Sequence, residues 1–477
     1  MAKYNTPSIG TKTKNLAGGT AFTVDPKFQL ASLLFSSFAE KQFYRSAETV
    51  ESCLENFFDR VDPEFAAKTA LYARNVLGMR SITHLLAVEV AKKVKNDTWT
   101  KKFFSKLFHR PDDMTEIVSC YIKQVGKRPL PNSLKKAIRH TLENLSEYSL
   151  AKYRAEKKEV KLVDLVNLTH PKANSALTKL VKGELKSTNT WETKLTQAGQ
   201  VAETEEEKKT LKADAWKSLL EENKLGYFAL LRNLCNILEQ APDLIDLTCE
   251  RLVNRDAIKQ SLVLPFRYAT AYNLLLNRYS KQDQSIRKVL KAINDAAEIS
   301  LDNCPTLNGN TLVVVDTSGS MRSFLHKPAI LAAAFAKKNN SDILCFGSGY
   351  KYISYSPADS LFSITEKILR SDQGGTDFSQ IFKGISNRKY NRILIFSDMQ
   401  GWSGDDSELM RDFHSYCKVN GSVPFMYSWD VAGYGTLKFP ERNVFLLAGF
   451  SEKIFDIMKM CENEKDSLIK EIESISF

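Results

Sequence analysis

Five oxygen-bearing residues carry the chemistry that can be read most directly. Asp316, Ser318 and Ser320 alternate in the run DTSGS, Thr376 lies in GGTD, and Asp398 lies in FSDMQ. Two carboxylates and three hydroxyls form a hard donor set with little charge and room for water, which suits Mg²⁺ or another divalent cation. An enzyme reading of the same residues is weaker. An aspartyl nucleophile at Asp316 wants a second acid two residues on, where Ser318 stands. A serine nucleophile wants a histidine base, yet His326 stands eight residues beyond Ser318 and His414 is distant in sequence. Walker A and HExxH sequences are absent. Taken alone, DxSxS is also compatible with a plain turn and helix cap.

A second set is cationic. Residues 121–172 hold 12 Lys and Arg against 5 Asp and Glu, among them Lys135, Lys136, Arg139, Lys152, Arg154 and Lys172. Only Arg139 with Glu143 and Lys152 with Glu156 have the i,i+4 spacing by which surface helices pair their charges. Clustered cations bind phosphates, and Tyr153 and His170 offer rings to bases. A solvated helical surface is the competing reading.

Two kinds of element must position these sets. Residues 24–302 read as helix after helix, with Asp62-Pro63 opening one of them. Leu134, Ile138, Leu142 and Leu145 mark one buried face, and Asp243 is placed to cap a later helix. Such helix density predicts an α-solenoid of the HEAT kind, with residues 185–214 as a polar surface excursion. After Pro305, apolar β-branched runs alternate with helical stretches. LVVV, DILCFGS, RILIFS, VPFMYSW and NVFLLAG are the strands, with a hairpin at Gly347–Tyr350 and a last helix from Ser451. That alternation predicts a mostly parallel, doubly wound α/β sheet whose ligands gather beyond the carboxyl ends of its strands. The fold class is therefore α plus α/β, divided into 1–304 and 305–477.

Composition narrows the function. The 477 residues are 43% hydrophobic and 26% charged, and the net charge is +11. Residues 311–477 hold 19 Lys and Arg against 20 Asp and Glu, so the positive excess lies in the preceding part. One half is thereby suited to a polyanion. No apolar run approaches the ~18 residues of a membrane span, and the opening MAKYNTPSIGTKTKN lacks a signal-like apolar core. Eight scattered cysteines without CxxC fit free thiols. A cytoplasmic, non-membrane protein is the expectation.

The motifs also carry a resemblance. DTSGSM, GGTD and FSDMQ, in that order, look like the metal-ion-dependent adhesion site of a von Willebrand factor A domain. LPNSLKKAIRHTLENLSEYSLAKYR followed by VKLVDLVNLTHPK resembles the signature of the TROVE module of Ro ribonucleoproteins, and ARNVLGMRSITH, TWETKLTQAG and LPFRYATAY extend it. The resemblance implies a closed, monomeric ring of HEAT-like helices clasped by the A domain, without catalysis. It implies Mg²⁺ at Asp316, Ser318, Ser320, Thr376 and Asp398, with an open position for an acidic group of a partner. It implies a Y-like noncoding RNA, single-stranded 3′ ends of misfolded noncoding RNA, and a 3′ exoribonuclease such as polynucleotide phosphorylase as partners. Lys152, Arg154 and His170 are carried over as surface RNA contacts, and Arg80 and His84 as candidates near the inner rim.

Overall fold

The structure is a computed structural model that describes residues 12–15, 17–23, 25–36, 47–95, 97–126, 129–153, 158–185, 191–261, 263–304, 306–322, 325–401, 406–430, 436–437, 444–447, 458, 462 and 467–477. The chain forms two compact units. One comprises Met1–Leu16, Thr20–Thr188 and Trp429–Phe477, and the other Ala17–Gly19 and Asn189–Ser428.

The first unit opens with strands β1 (Lys12–Lys14) and β2 (Thr20–Thr23), which pair antiparallel; β2 also pairs with the strand Thr436–Leu437. Helices follow: α1 (Pro26–Ser36), α2 (Ala47–Asp59), α3 (Pro63–Asn75), α4 (Ser81–Lys93), α5 (Thr100–Leu107), α6 (Pro111–Val125), α7 (Asn132–Glu143), α8 (Glu147–Lys152), α9 (Leu162–Thr169) and α10 (Ser175–Lys182). Their starts are written in the sequence. Asp62 caps α3 by accepting the Phe65 N–H at 2.9 Å, with Pro63 as the first helical residue. Asp113 and Asp164 accept the N–H groups of Arg110 and Lys161 at 2.9 and 2.8 Å, closing the first turns of α6 and α9. Contacts skip one helix: α1, α3, α5, α7 and α9 touch in succession, as do α2, α4 and α6. Two such layers are what helical repeats produce when each buries its apolar stripe on the next. In α7 the buried stripe is Leu134, Ala137, Ile138 and Leu142. The helix Ser467–Glu473 packs on α3, and Phe477 stacks on Trp99 at 5.0 Å. Residues 467–477 thus join the helices and not the sheet that precedes them in sequence.

The second unit begins with α11 (Trp191–Val201) and α12 (Glu205–Glu221). The polar stretch 185–214, read from sequence as an excursion, is therefore largely helical. Thr204 caps α12, and Trp191 stacks on Trp216 at 6.4 Å, while α11 buries no residue. Then come α13 (Tyr227–Arg232), α14 (Leu234–Gln240), α15 (Ile245–Leu252), α16 (Arg255–Ser261), α17 (Pro265–Arg278) and α18 (Gln284–Ser300). Asp243 does not cap α15; it sits inside a 3₁₀ turn, Pro242–Leu244, that leads into the helix.

Strands β3 (Thr311–Asp316), β4 (Asp342–Phe346), β5 (Tyr350–Tyr352), β6 (Arg392–Ser397) and β7 (Phe425–Asp430) stand in the order β5-β4-β3-β6-β7. β3 is parallel to β4 and β6, and β5 returns antiparallel as the predicted hairpin. Helices α19 (His326–Asn339), α20 (Leu361–Leu369), α21 (Ser379–Ile385) and α22 (Asp406–Asn420) connect the strands. Every residue of β3 and β6 is buried, which explains their unbroken apolar runs. Helices α17 and α18 pack on α19 and α20. Glu298 of α18 accepts from Lys337 of α19 at 2.7 Å and from the Leu361 N–H of α20 at 2.5 Å, and Tyr272 packs on Phe362 at 4.6 Å. The expected start of a helix at Ser451 lies outside the described residues.

Candidate functional site

The parallel register of β3 and β6 pairs Val315 with Phe396 and ends both strands together. Asp316 and Ser397 therefore leave the sheet side by side, and Ser397 Oγ donates to Asp316 Oδ2 at 2.6 Å. The next turn folds back on the same carboxylate, with the Ser318 N–H donating to Asp316 Oδ1 at 3.0 Å. Ser318 Oγ and Ser320 Oγ lie 3.3 Å apart. A bridge from Ser318 to Gly374, and a 3.1 Å hydrogen bond from the Gly319 N–H to the Gly374 carbonyl, bring the loop of Thr376 onto this turn. Gly374 adopts φ +78°, and a Cβ on Gly347 would stand 2.6 Å from the Gln373 carbonyl oxygen, so neither position accommodates a side chain cheaply.

Beyond β6, the Gln400 N–H donates to Asp398 Oδ1 at 3.0 Å across Met399, whose φ of +60° is strained for a residue other than glycine. Gln400 Oε1 also accepts the Ala17 N–H at 3.2 Å. Asp316 and Asp398 are fully buried, and Ser318, Ser320 and Thr376 are buried as well.

Burial pushes the Asp316 carboxyl above its usual range, opposed only by its hydrogen bonds with Ser318 and Ser397. No Lys, Arg or His among the described residues pairs with it. The donors are oxygens only, and among the described residues no three His, Cys, Asp or Glu side chains gather elsewhere as a metal set. A buried carboxylate that lacks a cation, set among hydroxyls, fits a hard divalent ion. Ser397 and Gln400 complete this arrangement and were not singled out from sequence. Their signal was adjacency to Asp398.

The basic residues of the first unit fall into three groups. At the C-terminal end of α7, exposed Arg139 donates from Nε to the Thr169 carbonyl at 2.6 Å, and Glu143 accepts the Lys172 N–H at 2.8 Å. These bonds hold the turn that presents exposed His170, at φ 49°, and Lys172. The i,i+4 pairing of Arg139 with Glu143 is thus replaced by two bonds to the α9–α10 turn. At the end of α8, the Lys152 ammonium lies 5.9 and 5.6 Å from the rings of Tyr148 and Tyr153, and Arg110 lies 5.0 Å over Tyr153. Arg154 lies outside the described residues.

Lys135 and Lys136 belong to a second group, because they point into a cleft at the opposite, N-terminal end of α7 together with lysines of the α4–α5 connection. Those lysines belong to the run KKVKNDTWTKK, which precedes the basic stretch 121–172 in sequence.

Arg80 and His84 form the third group, and neither stands as a free cation on a rim. Arg80 contacts Asp112, Asp113 and Glu116 at 2.8, 2.9 and 3.2 Å. His84 is 2% exposed, with Nε2 3.0 Å from Asp113 and Nδ1 3.3 Å from Glu116. Arg74 adds a 2.9 Å bond to Asp113. Burial alone would raise the Asp113 carboxyl, but its bonds with His84, Arg74 and Arg80 hold it far below the usual range. Against the same effect of burial, His84, Lys158 and Arg80 bring Glu116 down to about 2.

Comparisons with known proteins fit this architecture. The TROVE domain family matches residues 20–208 and 182–298. The RNA-binding protein RO60 of Deinococcus radiodurans is 23% identical over 265 residues, 49% of this chain and 49% of that protein. Telomerase protein component 1 of Rattus norvegicus is 22% identical over 304 residues, 45% of this chain. The chain spans 11% of the length of that component and about half of the Deinococcus protein. The crystal structure of the Deinococcus radiodurans RO (RSR) protein superposes with a TM-score of 0.61 at 16% identity, covering 89% of this chain and 97% of that one. At that identity the likeness speaks to the fold: a helical repeat followed by an α/β domain of the von Willebrand factor A type.

Proposed function

Because the chain belongs to the TROVE domain family and is of the Ro type, we propose that it is a noncatalytic RNA-binding protein. Its helical repeats would capture a Y-like noncoding RNA and the single-stranded 3′ ends of misfolded noncoding RNAs. The observation that carries this reading is the surface around the C-terminal end of α7. Arg139, Lys152, His170 and Lys172 are exposed there beside Tyr148, which is 53% exposed. Cations neutralise phosphates while the tyrosine and histidine rings stack on bases, the pairing that single-stranded nucleic acid requires.

In this reading Asp316, Ser318, Ser320, Thr376 and Asp398 hold Mg²⁺ or another divalent cation. Bound there, the ion supplies a Lewis-acidic position for an outside oxygen, and an acidic side chain of a protein partner supplies that oxygen. A 3′ exoribonuclease such as polynucleotide phosphorylase is the kind of partner the reading calls for, in the cytoplasm. The α/β part is near neutral overall, so RNA capture falls to the basic helices.

The test is binding of RNA with and without a single-stranded 3′ tail across a salt series, together with sequencing of the RNA that copurifies. With roughly 6–10 phosphate contacts, affinity falls ~10³–10⁵-fold between about 50 and 200 mM salt. A flat salt profile, or equal binding of blunt duplex and tailed RNA, overturns the reading. A second reading, in which the α/β domain only docks proteins and the helices are scaffold, would leave the chain without RNA affinity.

A further inference from the structure

Three helices of the second unit turn a regular face toward an open cavity of about 720 Å³. On α17 the face is Ala269, Tyr272, Asn273 and Leu276, and on α18 it is Arg287, Leu290, Lys291 and Asn294. Phe362, Glu366, Leu369 and Arg370 of α20 close a third side, with His326 at the start of α19. Stripes of this period ordinarily bury themselves on another element. Here Tyr272, Leu276, Phe362 and Leu369 stay only half-buried. The volume lies within the roughly 300–1,000 Å³ of small-molecule pockets, so the occupant is a compact molecule with an apolar body.

The charge around the cavity is one-sided. Lys281, Arg287, Lys291, His326 and Arg370 line it, and Glu366 is the one acid among the described lining residues. That acid lies 3.7 Å from Arg370. Lys281 and Lys291 have no carboxylate partner among the described residues, and Arg287 donates to the Gln282 carbonyl at 3.3 Å. All three cations are exposed. Arg287 and Lys291 stand one helical turn apart, where like charges destabilise a helix by a few tenths of a kcal/mol. An anion that bridges them removes that repulsion, and planar guanidinium beside ammonium is a usual means of holding phosphate.

Rings and amides restrict the class of anion. The Tyr272 and Phe362 rings meet at 4.6 Å and are tilted by 46°, so they form a corner of aromatic surface instead of a closed stack. The side-chain amides of Asn273 and Asn294 also line the cavity, half-buried and without a protein partner among the described residues. An amide that donates and accepts at once matches the edge of a heterocyclic base. Inorganic phosphate would leave the rings and amides unused, and a fatty acid would leave most of the cations unused.

We propose that this cavity binds a free nucleoside di- or triphosphate. The base lies against Tyr272 and Phe362 with Asn273 and Asn294 at its edge, and the phosphates lie against Lys281, Arg287 and Lys291. His326 and Arg370 stand six residues from Ser320 and Thr376 in sequence, so the ligand would touch both segments that lead to the candidate metal donors. The proposal does not depend on the RNA reading, and either can fail alone.

The test titrates the full-length protein by calorimetry with ADP, ATP, GDP, GTP, adenosine, guanosine and pyrophosphate, in EDTA so that no divalent ion at Asp316 holds the phosphates. At least one nucleotide should bind 10-fold or more tightly than its nucleoside and than pyrophosphate. Arg287→Gln/Lys291→Gln should weaken that nucleotide about 10–100-fold and change nucleoside binding less than threefold. Phe362→Leu should weaken nucleotide and nucleoside together while pyrophosphate binding is unchanged. Melting curves check folding, and if the α18 pair does not fold, Lys281→Gln/Arg370→Gln carries the same comparison. No binding of any nucleotide at millimolar concentration overturns the proposal, as does pyrophosphate binding as tightly as the nucleotides. Undiminished nucleotide affinity in folded Arg287→Gln/Lys291→Gln protein overturns the location. A short single-stranded RNA that displaces the nucleotide at concentrations below the nucleotide's own Kd assigns the cavity to an RNA end and overturns the free nucleotide.

Discussion

Asp113 and Asp316 are both fully buried carboxylates, yet their surroundings are opposite. Asp113 is ringed by Arg74, Arg80 and His84; among the described residues, Asp316 meets the serine hydroxyls of Ser318 and Ser397 and a backbone N–H, with no cation. Protein cations already compensate the first, whose pKa is driven down. The second is driven up by burial, and in the proposed reading a divalent cation would compensate it. A buried acid thus separates structure from function by the company it keeps. The same contacts engage Arg80 and His84 with Asp112, Asp113 and Glu116.

The sharpest way to break this contrast is to remove each acid. Asp113→Ala leaves several buried cationic groups without their partner and should cost about 3–5 kcal/mol, read from denaturant unfolding. Asp316→Asn keeps a hydrogen-bonding side chain and removes a desolvated charge, so metal-free protein should be no less stable than before. A loss at Asp316 equal to that at Asp113 would erase the distinction.

A divalent cation supplies the next test. Mg²⁺ at about 100 times its Kd should stabilise the unaltered chain by ~2.7 kcal/mol. The Asp316→Ala/Ser318→Ala variant should show no shift in calorimetry, while RNA affinity stays within about threefold, ~0.6 kcal/mol. Wholesale loss of RNA binding in a folded variant would contradict the division of labour.

Acid should act on the two centres with opposite signs, because the raised Asp316 carboxyl is relieved of its burial cost as pH falls, whereas the first centre loses stability. The folded-state pKa values of Asp113 and Glu116 are depressed, so their contribution is complete above the unfolded values near ~4. It is lost as pH falls through the folded values, about 2 for Glu116. Stability should therefore drop between about pH 4 and 2, and Asp113→Ala should flatten that drop. The smallest effect is expected at His170. Its left-handed backbone favours glycine, so His170→Gly should change stability by no more than ~1 kcal/mol, on the stabilising side, while weakening RNA binding.

How far the sequence reveals these centres depends on how local each one is. DTSGS, GGTD and FSDMQ are legible because each follows a strand or loop whose position the sheet fixes, so short runs of residues carry the geometry. Asp112, Asp113 and Glu116 lie one helix away from Arg80 and His84, and nothing in GMRSITH announces that α6 packs on α4. Lys135 and Lys136 read as neighbours of Arg139, but the helix sends them to a different end and a different set of lysines. Burial patterns in α7 and β3 followed from periodicity. The helices inside 191–221 did not, because α11 buries nothing and leaves no apolar stripe to see.

The turn carrying His170 and Lys172 is fastened from two sides, by Arg139 to the Thr169 carbonyl and by Glu143 to the Lys172 N–H. Its ordering is complete before any ligand arrives. A polyanion that docks there meets a finished surface, so association is limited by encounter and orientation, with no loop to rearrange. Weakening the fastening, as in Glu143→Ala, should leave the charges in place yet slow capture. Rapid-mixing rates would register that change as a lower on-rate at constant net contact chemistry.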